Sequence, residues 1–337
     1  MRVLILGPSG DGNLAWYLAR ALRALGHEAI LHDLVHSDSQ DPWWSRIQWK
    51  ITGLDRWAIA QMNRRAERLW RTVRPDLVIV CKGRFLLPET VRGMRQAGLP
   101  VVNWYPDGIG EMEREFLIEC LPHYTVFFTK DTYLLDRLRG ISPNVRYLPL
   151  ACDPEVHRTV TLSDEERRQY GSDVALVGSG YPFRLIYLPA LEPYRLKLWG
   201  SAWTARPTRR PPPAWQGRSA MGFDQAKVFN ATTINVNTVH FFEVHGTNRR
   251  TFDIAGCGGF QVCTAAPEDL PRLFDVGREV LVAKDARELR RVIDYYLAHE
   301  EERRAIGRQA QARAHRDHTF RQRLEELLQV VREVSPA

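Results

Sequence analysis

Short apolar runs alternate along the chain with longer stretches in which apolar residues recur every three or four positions. The short runs are typical of strands buried in a sheet, and the longer stretches have the period of amphipathic helices. Their alternation predicts parallel sheets with crossover helices. The predicted strands are residues 2–7, 27–34, 76–82, 101–105, 125–129, 145–149, 173–178, 194–200, 233–238, 260–264 and 279–283. The predicted helices are residues 13–26, 54–73, 88–97, 164–170, 224–230, 250–257, 286–299, 300–314 and 320–334.

The pattern of strand and helix restarts in the middle of the chain. A polar stretch near residues 151–161 ends the first series of strands, and a second series begins at residue 173. A length of 337 residues suits two domains. We therefore expect an α/β protein with two Rossmann-like, doubly wound domains in series, with a hinge near residues 151–161 and surface loops at 36–53 and at the proline-rich stretch 205–217.

Composition narrows the classes of function. With 44% hydrophobic and 26% charged residues the chain is globular, and its net charge of +7 is distributed over predicted helices without the aromatic-lined basic stripe of a nucleic-acid binder. We expect no nucleic-acid partner. The N-terminus has no secretory apolar segment and no run reaches about 20 apolar residues, so we expect a cytoplasmic protein without a transmembrane segment. Five cysteines without a CxxC pair predict neither a disulfide framework nor a zinc site.

Ligands bind open parallel sheets beyond the carboxyl ends of the strands, and four segments there contain candidate residues. The first is Gly10, Asp11, Gly12 and Asn13, where glycines and a helix start expose amide hydrogens. Pro8 breaks the GxGxxG fingerprint, which disfavours an NAD-dependent oxidoreductase. The segment is either a tight turn or the lining of an interdomain cleft.

The second segment contains Trp104 and Asp107, after the fourth predicted strand. An aromatic face can stack on a sugar, and a carboxylate can accept a proton from a hydroxyl group. The alternative is an Asp-Gly turn with aromatic residues in the core. We interpret Asp107 as a candidate catalytic residue that activates the acceptor.

The third segment, Gly178, Ser179 and Gly180 followed by Arg184, begins the second half. Its amides and guanidinium group suit a diphosphate, although a plain Gly-Ser-Gly turn is the alternative. The fourth segment opens a helix and gives the strongest signal. It consists of His245, Gly246, Thr247, Asn248, Arg249, Arg250, Thr251 and Asp253.

Positive charge and free amides at the start of that helix favour phosphates, and the Asp253 carboxylate suits ribose hydroxyls. The alternative is a capped helix with a surface ion pair. His240 and His245 flank Glu243 without the acidic pair of a metal site, so we expect no metal and no cofactor. Arginines and the helix dipole would then stabilise a departing diphosphate.

Residues 246–262 (GTNRRTFDIAGCGGFQV), together with DVALVGSGYPFRLIYLPAL and LKLWGSAW upstream, resemble the CgeB-like (spore maturation protein type) glycosyltransferases. The resemblance covers residues 173–330 well and residues 1–150 only loosely. It implies the GT-B fold, with an N-terminal acceptor domain over 1–155 and a C-terminal nucleotide-sugar donor domain over 156–319 that face across a cleft. The last helix, 320–337, would pack back on the N-terminal domain. It also implies a metal-independent, hexosyltransferase-like enzyme.

In relatives of the glycogen-synthase type, two glutamates with seven residues between them flank the donor. By this resemblance Asp253 takes the second position and binds the ribose, while His245 takes the first as a catalytic residue. The departure at His245 leaves open whether the reaction retains or inverts the anomeric configuration. Residues 246–251 would surround the diphosphate and sugar, with Gly200 and Trp203 at the base pocket.

The sequence thus predicts sugar transfer from a nucleotide diphosphate sugar of unknown base to an unknown glycan, protein or small-molecule acceptor. Arg184 and the catalytic Arg250 would assist departure of the diphosphate. Two alternatives stay open beside it. One is a GT-B-fold nucleotide-sugar epimerase, and the other is a non-enzymatic nucleotide-sugar-binding or spore-coat assembly protein.

Overall fold

The computed structural model describes residues 1–33, 54–108, 116–201, 203 and 210–335. It divides into two compact units, Met1–Pro149 with Arg321–Ala337, and Leu150–Phe320. The predicted loop 36–53, and parts of the stretches 104–115 and 205–217, lie outside the described residues.

The elements follow one another as strand and helix through most of both units. The strands are β1 (Arg2–Leu6), β2 (Glu28–His32), β3 (Leu77–Cys81), β4 (Val101–Tyr105), β5 (Val126–Thr129), β6 (Val145–Tyr147), β7 (Ser172–Val177), β8 (Leu196–Trp199), β9 (Thr232–Asn237), β10 (Gln261–Cys263) and β11 (Leu281–Val282). The α-helices are α1 (Leu14–Ala24), α2 (Leu54–Val73), α3 (Pro88–Gln96), α4 (Leu117–Cys120), α5 (Leu134–Arg139), α6 (Asp164–Tyr170), α7 (Leu188–Leu191), α8 (Gly222–Ala231), α9 (Arg249–Gly256), α10 (Leu270–Leu273), α11 (Ala286–Ala298), α12 (Glu300–Asp317) and α13 (Phe320–Val334). Short 3-10 helices span Leu121–His123 and Pro182–Tyr187.

The first unit is built on a six-stranded sheet in the order β2-β1-β3-β4-β5-β6, and all the strand pairs are parallel. Every residue of β3 and β4 is buried, as expected where helices cover both faces of a parallel sheet. Leu4 and Val78 pack with Trp70 of α2 and Met94 of α3 in one cluster. From Arg321 onward, α13 belongs to this unit.

The second unit is built on a five-stranded parallel sheet in the order β11-β10-β9-β7-β8. Successive residues of β7 enter different cores, because side chains alternate between the faces of a sheet. Val174 packs in the cluster that contains Ile293 of α11, whereas Ala175 packs with Phe229 of α8. Helices therefore cover both faces, which is the doubly wound arrangement.

The structure confirms the predicted α/β class with two parallel, doubly wound sheets. Each of the eleven predicted strands corresponds to a strand within two residues at either end. The short helices α4, α5, α7 and α10 were not predicted, because four to six residues are too few to show a helical period.

The five cysteines are all buried, and none forms a disulfide. Burial raises the pKa of Cys120 to about 12, with smaller contributions from Glu119 and Glu89, so the thiol stays protonated and unreactive near neutral pH. Within the described part of the chain, no helix is both long and apolar enough to cross a membrane.

Candidate functional site

The candidate site lies at the carboxyl ends of β7 and β9, which are neighbours in the second sheet. The chain leaves β7 towards β8 on one side of this pair and leaves β9 towards β10 on the other. This reversal of winding direction is the place where open α/β sheets form a ligand-binding crevice. Two loops meet there, residues 178–181 after β7 and residues 238–248 after β9.

The loop after β9 ends in the helix start that the sequence predicted. Asn248 is the N-cap of α9, and its Oδ1 accepts a hydrogen bond from the Thr251 backbone N–H at 3.2 Å. Asn side chains favour this position because they satisfy an amide that has no partner within the helix. The start of α9 therefore presents the positive end of a helix dipole beside Arg249 and Arg250.

Two guanidinium groups converge on Gly178, the first residue after β7. A Cβ atom built there would lie 2.2 Å from Arg184 Nη1 and 2.6 Å from Arg250 Nη2. The backbone at Gly178 has a φ of +142°, a conformation that L side chains rarely adopt. Both the conformation and the space therefore require glycine here.

Arg184 is held mainly by neutral oxygens. Its Nε donates to Thr238 Oγ1 at 2.7 Å, and its Nη1 donates to the carbonyl of Ser179. Its guanidinium carbon lies 5.4 Å from the centre of the Tyr181 ring, and the whole residue is 6% exposed. Arg250 donates from Nη1 to Asn237 Oδ1 at 3.0 Å, and its buried Nε has no hydrogen-bond partner among the described residues.

The two positive charges are not neutralised by a salt bridge. Within the described ranges, neither Arg184 nor Arg250 has a carboxylate at ion-pair distance. Burial lowers the pKa of both guanidinium groups, and the charge of Arg250 lowers that of Arg184 further. Tyr181 partly offsets the lowering at Arg184, and the charge of Glu243 partly offsets it at both groups. Guanidinium groups remain protonated in proteins, so this corner holds excess positive charge suited to an anion.

Sequence reasoning missed Asn237 and Thr238, which position the arginines from the end of β9. Asn237 is fully buried, and its Nδ2 donates to Thr251 Oγ1 at 2.9 Å and to Asn248 Oδ1 at 3.2 Å. The available signal was polar residues inside an apolar strand, TTINVN. Buried amides of this kind need partners, and here those partners are the site residues themselves.

The predicted base pocket at Gly200 and Trp203 is filled by the protein. A Cβ at Gly200 would lie 2.0 Å from the carbonyl oxygen of Gly178, and one at Gly180 would lie 2.6 Å from the Cα of Trp203. Trp203 is 5% exposed and packs with Leu176 and Leu198. These residues hold the two loops together and offer no open face to a base, which corrects the expectation for them.

The contact between residues 178–180 and residues 200, 201 and 203 also holds the predicted phosphate loop in place. The Gly180 amide donates to the Ser201 carbonyl at 2.8 Å, and the hydroxyl groups of Ser179 and Ser201 lie 3.1 Å apart. The Gly178 amide donates to the carbonyl of Trp199. The Gly178 and Gly180 amides are therefore hydrogen-bonded within the protein. The groups beside this loop that can bind a phosphate are the guanidinium groups of Arg184 and Arg250.

Thr247 has an internal partner that the sequence did not indicate. Its backbone amide and its hydroxyl both donate to Asp269 Oδ1, at 2.8 and 2.6 Å. Thr247 and Asp269 are each 1% exposed, and Gly246 beside them is buried. In this structure Thr247 anchors the turn before α9, while Asn248, Arg250 and Thr251 form the polar network of the site.

Asp253 lies in the interior, which corrects the expectation of a carboxylate open to ribose. Its side chain is 1% exposed, and Oδ2 accepts from Arg249 Nε at 3.2 Å. His157 Nε2 lies 3.5 Å from Oδ1. Because His157 Nδ1 accepts the Asp153 amide at 3.0 Å, the neutral imidazole carries its proton on the nitrogen facing Asp253. The carboxylate therefore stabilises the start of α9 through its contacts with Arg249 and His157.

Replacing Asp253 by Asn is expected to destabilise the fold by about 1–3 kcal/mol, because it removes a buried charge that Arg249 and His157 face. The free energy of unfolding in urea measures this effect. The matched control is Asp136→Asn, which breaks the exposed pair with Arg139 at 3.1 Å and should cost about 0–1 kcal/mol. Equal costs for the two variants would contradict a structural role for Asp253.

His245 is paired with Glu268. Its Nδ1 lies 2.6 Å from Glu268 Oε2, and 28% of its side chain is exposed. The partner, 23 residues further along the chain, was not predicted. The carboxylate orients the ring, so a proton on Nδ1 leaves Nε2 as the acceptor nitrogen.

In the first unit, Gly10 and Asp11 are exposed, and Gly12 is buried with a φ of +79°. Asn13 is the N-cap residue of α1 but its side chain accepts no cap hydrogen bond, and its Nδ2 donates to the Gly10 carbonyl at 3.0 Å. The prediction that Trp104 stacks on a sugar is wrong, since the residue lies within β4 with no exposed surface. Asp107, with 38% of its side chain exposed, forms a 2.5 Å salt bridge with Lys82.

Across the residues that the structure describes, no three His, Cys, Asp or Glu side chains are grouped as a metal ion would require. His318 is 5% exposed, and its Nε2 contacts the Leu273 carbonyl at 2.7 Å.

Comparisons with known proteins bear on both units. A family model described as glycosyl transferase-like matches residues 158–329, which is slightly more than half of the chain. A comparison with curated proteins finds no match.

Solved structures match the whole chain. Sucrose-phosphate synthase from Thermosynechococcus elongatus is 13% identical, covers 99% of both chains and has a TM-score of 0.68. HepE from Anabaena in complex with UDP-glucose is 14% identical over 98% of this chain and 99% of that chain, with a TM-score of 0.65. A UDP-forming trehalose-phosphate synthase from Burkholderia xenovorans is 12% identical over 100% of both chains, with a TM-score of 0.65. At these identities the similarity shows the fold.

Proposed function

The chain belongs to the glycosyl transferase-like family and has the GT-B fold of glycosyltransferases, and from this premise we propose that its donor is a nucleotide diphosphate sugar. In the proposed reaction an acceptor hydroxyl attacks the anomeric carbon of the sugar. The bond between that carbon and the diphosphate oxygen breaks, and the nucleoside diphosphate leaves with the bonding electrons. The proton of the acceptor hydroxyl passes to a basic side chain or to the departing diphosphate.

The observation that carries the proposal is the convergence of Arg184 and Arg250 on Gly178 without a carboxylate partner among the described residues. Two guanidinium groups match the charge and geometry of a diphosphate, and each can donate paired hydrogen bonds. Negative charge grows on the leaving oxygen as the glycosidic bond breaks. Cations already held in position stabilise this charge more in the transition state than in the ground state.

The residues around the arginines support the same assignment. Asn237 and Thr238 orient the guanidinium groups, and the Asn248 cap directs the start of α9 towards the same corner. HepE binds UDP-glucose, and the Burkholderia relative is described as UDP-forming, so UDP sugars are the first donors to test.

Asp107 and His245 stay our candidates for proton transfer or sugar contact. Each would act from a salt bridge, with Lys82 or Glu268 respectively.

Within the family we propose membership of the CgeB-like group. The support is the segment 246–262 and the two upstream segments that resemble that group. The family match, which spans residues 158–329, includes all three segments.

We further propose that the transfer needs no metal ion, because Arg184 and Arg250 supply the charge that a divalent cation would otherwise provide. Millimolar EDTA should leave the initial rate of transfer unchanged. A rate that falls with EDTA and returns on addition of Mg²⁺ or Mn²⁺ would contradict metal independence, whereas the donor assignment would stand.

A thermal-shift panel of UDP, GDP, ADP and dTDP sugars tests the donor class directly. A ligand that binds only the folded protein stabilises it by about 2.7 kcal/mol at a concentration 100 times its Kd. We expect one nucleotide series to raise the Tm, and the free sugars to leave it unchanged. The absence of a shift with every nucleotide sugar, at concentrations up to several millimolar, would contradict the proposed donor.

A further inference from the structure

Five rings form a continuous aromatic surface beside the arginine pair, called here the aromatic platform. Its members are Tyr181, Phe183, His240, Phe241 and Phe242. They come from the segment that follows β7 and from the loop that follows β9. The platform therefore belongs to the same strand ends as the candidate donor site.

The rings contact one another across the two loops. His240 stacks on Phe241 with 4.3 Å between ring centres, and Phe241 lies 4.1 Å from Phe242. Phe183 meets Phe241 at 5.7 Å, and Tyr181 meets His240 edge-on at 5.7 Å. The two 5.7 Å spacings are typical of stabilising aromatic pairs, and the other two pairs lie closer still, so the rings contact one another before any ligand arrives.

Several apolar side chains at the platform are exposed to solvent, although apolar side chains of this size are usually buried. Phe241 is 55% exposed, Tyr181 48% and Phe242 43%, and Val244 after them is 56% exposed. Single exposed apolar residues are common, but a contiguous cluster at strand ends indicates a surface that binds something.

The platform continues directly into the anion site and ends at polar groups. At one end the Tyr181 ring lies 5.4 Å from the Arg184 guanidinium carbon. At the other end Glu243 follows Phe242, and its Oε2 accepts from the Asn248 side-chain amide and from the His240 backbone amide, both at 3.3 Å. Aromatic faces beside a carboxylate and an amide match a pyranose ring, which has an apolar C–H face and hydroxyl groups at its rim.

Resting on the glycosyl transfer proposed above, we propose that the platform binds the acceptor, and that this acceptor is a glycan of more than one sugar. The three rings are each about half exposed, and a whole aromatic side chain buries about 150–250 Å², so together they offer more apolar surface than the face of one hexose covers. The polar rim at Glu243 and Asn248 serves hydroxyl groups. A glycan chain laid across Tyr181, Phe241 and Phe242 would place a terminal hydroxyl beside the diphosphate corner.

Calorimetric titration with maltotetraose, cellotetraose, laminaritetraose and chitotetraose tests this assignment. The variants are Phe241→Ala and Phe242→Ala, whose exposed side chains can be removed without opening the core. The matched control is Tyr295→Ala, an aromatic residue of α11 that is 46% exposed and lies outside the platform. We expect wild type and control to bind at least one tetraose with equal Kd, and both platform variants to bind it at least tenfold more weakly.

The nucleotide-sugar thermal shift is measured on the same variants, so that failure of the donor proposal is seen separately. The shift should be the same in wild type, platform variants and control. Binding of no tetraose, or equal tetraose binding by all variants, would overturn the acceptor assignment. A donor shift lost in the platform variants with tetraose binding intact would also overturn it, because the rings would then hold the donor.

Discussion

Replacing Arg250 by alanine is expected to lower kcat/KM for the nucleotide-sugar donor by roughly 10- to 150-fold, equivalent to about 1.5–3 kcal/mol, the range for a hydrogen bond to a charged group. Arg250 has no carboxylate partner among the described residues, so its removal leaves no buried carboxylate unpaired. The loss should therefore appear in donor affinity and transfer rate, while the Tm of the free protein changes little. Arg184→Ala should act in the same direction.

The matched control for this prediction is Arg195→Ala, which removes an arginine of the same unit whose side chain is 69% exposed and paired with Asp173. Its kcat/KM should equal that of the wild type. The conservative variant Arg250→Lys should recover only part of the loss, because an ammonium group keeps the charge but lacks the planar fork. Unchanged kinetics in Arg250→Ala would remove this residue from the donor site.

The second large effect is expected at Gly178. A methyl group there would lie 2.2 Å from Arg184 and 2.6 Å from Arg250, so Gly178→Ala must displace both guanidinium groups at once. The φ of +142° adds about 1–3 kcal/mol of backbone strain for a residue other than glycine. We expect donor kcat/KM to fall by about 100-fold or more, since each 1.4 kcal/mol corresponds to a factor of ten.

Gly277→Ala separates the backbone cost from the clash. Gly277 lies in the same unit with a φ of +97°, and no atom lies within 4 Å of the position a Cβ would take. This variant should lose stability, measured by urea unfolding, but retain donor kinetics. If Gly178→Ala kept the donor kinetics of Gly277→Ala, the arginines would not form the binding corner.

The sheets could be predicted because each strand is a local, apolar run with a helix before and after it. The start of α9 was also a local signal, since Asn248 caps the helix that begins one residue later. Arg184 and Arg250 were recognised for a similar reason, as each follows closely on a turn at a strand's carboxyl end. The spacing of apolar residues and the residue types typical of turns and helix caps are therefore sufficient to predict the strands and the helix start that form the site.

The burial of Asp253 depends on a partner that is remote in sequence. His157, which faces its carboxylate, is 96 positions earlier in the chain, and no local pattern indicates that the two meet. The Thr247–Asp269 and His245–Glu268 pairs likewise join residues 22 and 23 positions apart. A carboxylate on a helix looks the same in sequence whether it binds a ligand or an internal arginine.

Trp104 and Trp203 show a second limit of sequence reasoning. An aromatic residue at a strand end can stack on a sugar or fill a core, and the local sequence is the same in both cases. Trp104 is the fourth residue of a central strand covered on both faces, and Trp203 packs under Gly180. Beside the arginine pair, the exposed rings are Tyr181, Phe241 and Phe242, in loops whose conformation depends on contacts between two segments.

Calorimetric titration with inorganic pyrophosphate tests the central claim most directly, because this probe carries the diphosphate without a base or a sugar. The account predicts that the wild type and Arg195→Ala bind pyrophosphate with the same Kd, and that Arg250→Ala binds it at least about tenfold more weakly. Equal binding by wild type and Arg250→Ala, or no binding by the wild type at millimolar pyrophosphate, would contradict a diphosphate site at Arg184 and Arg250.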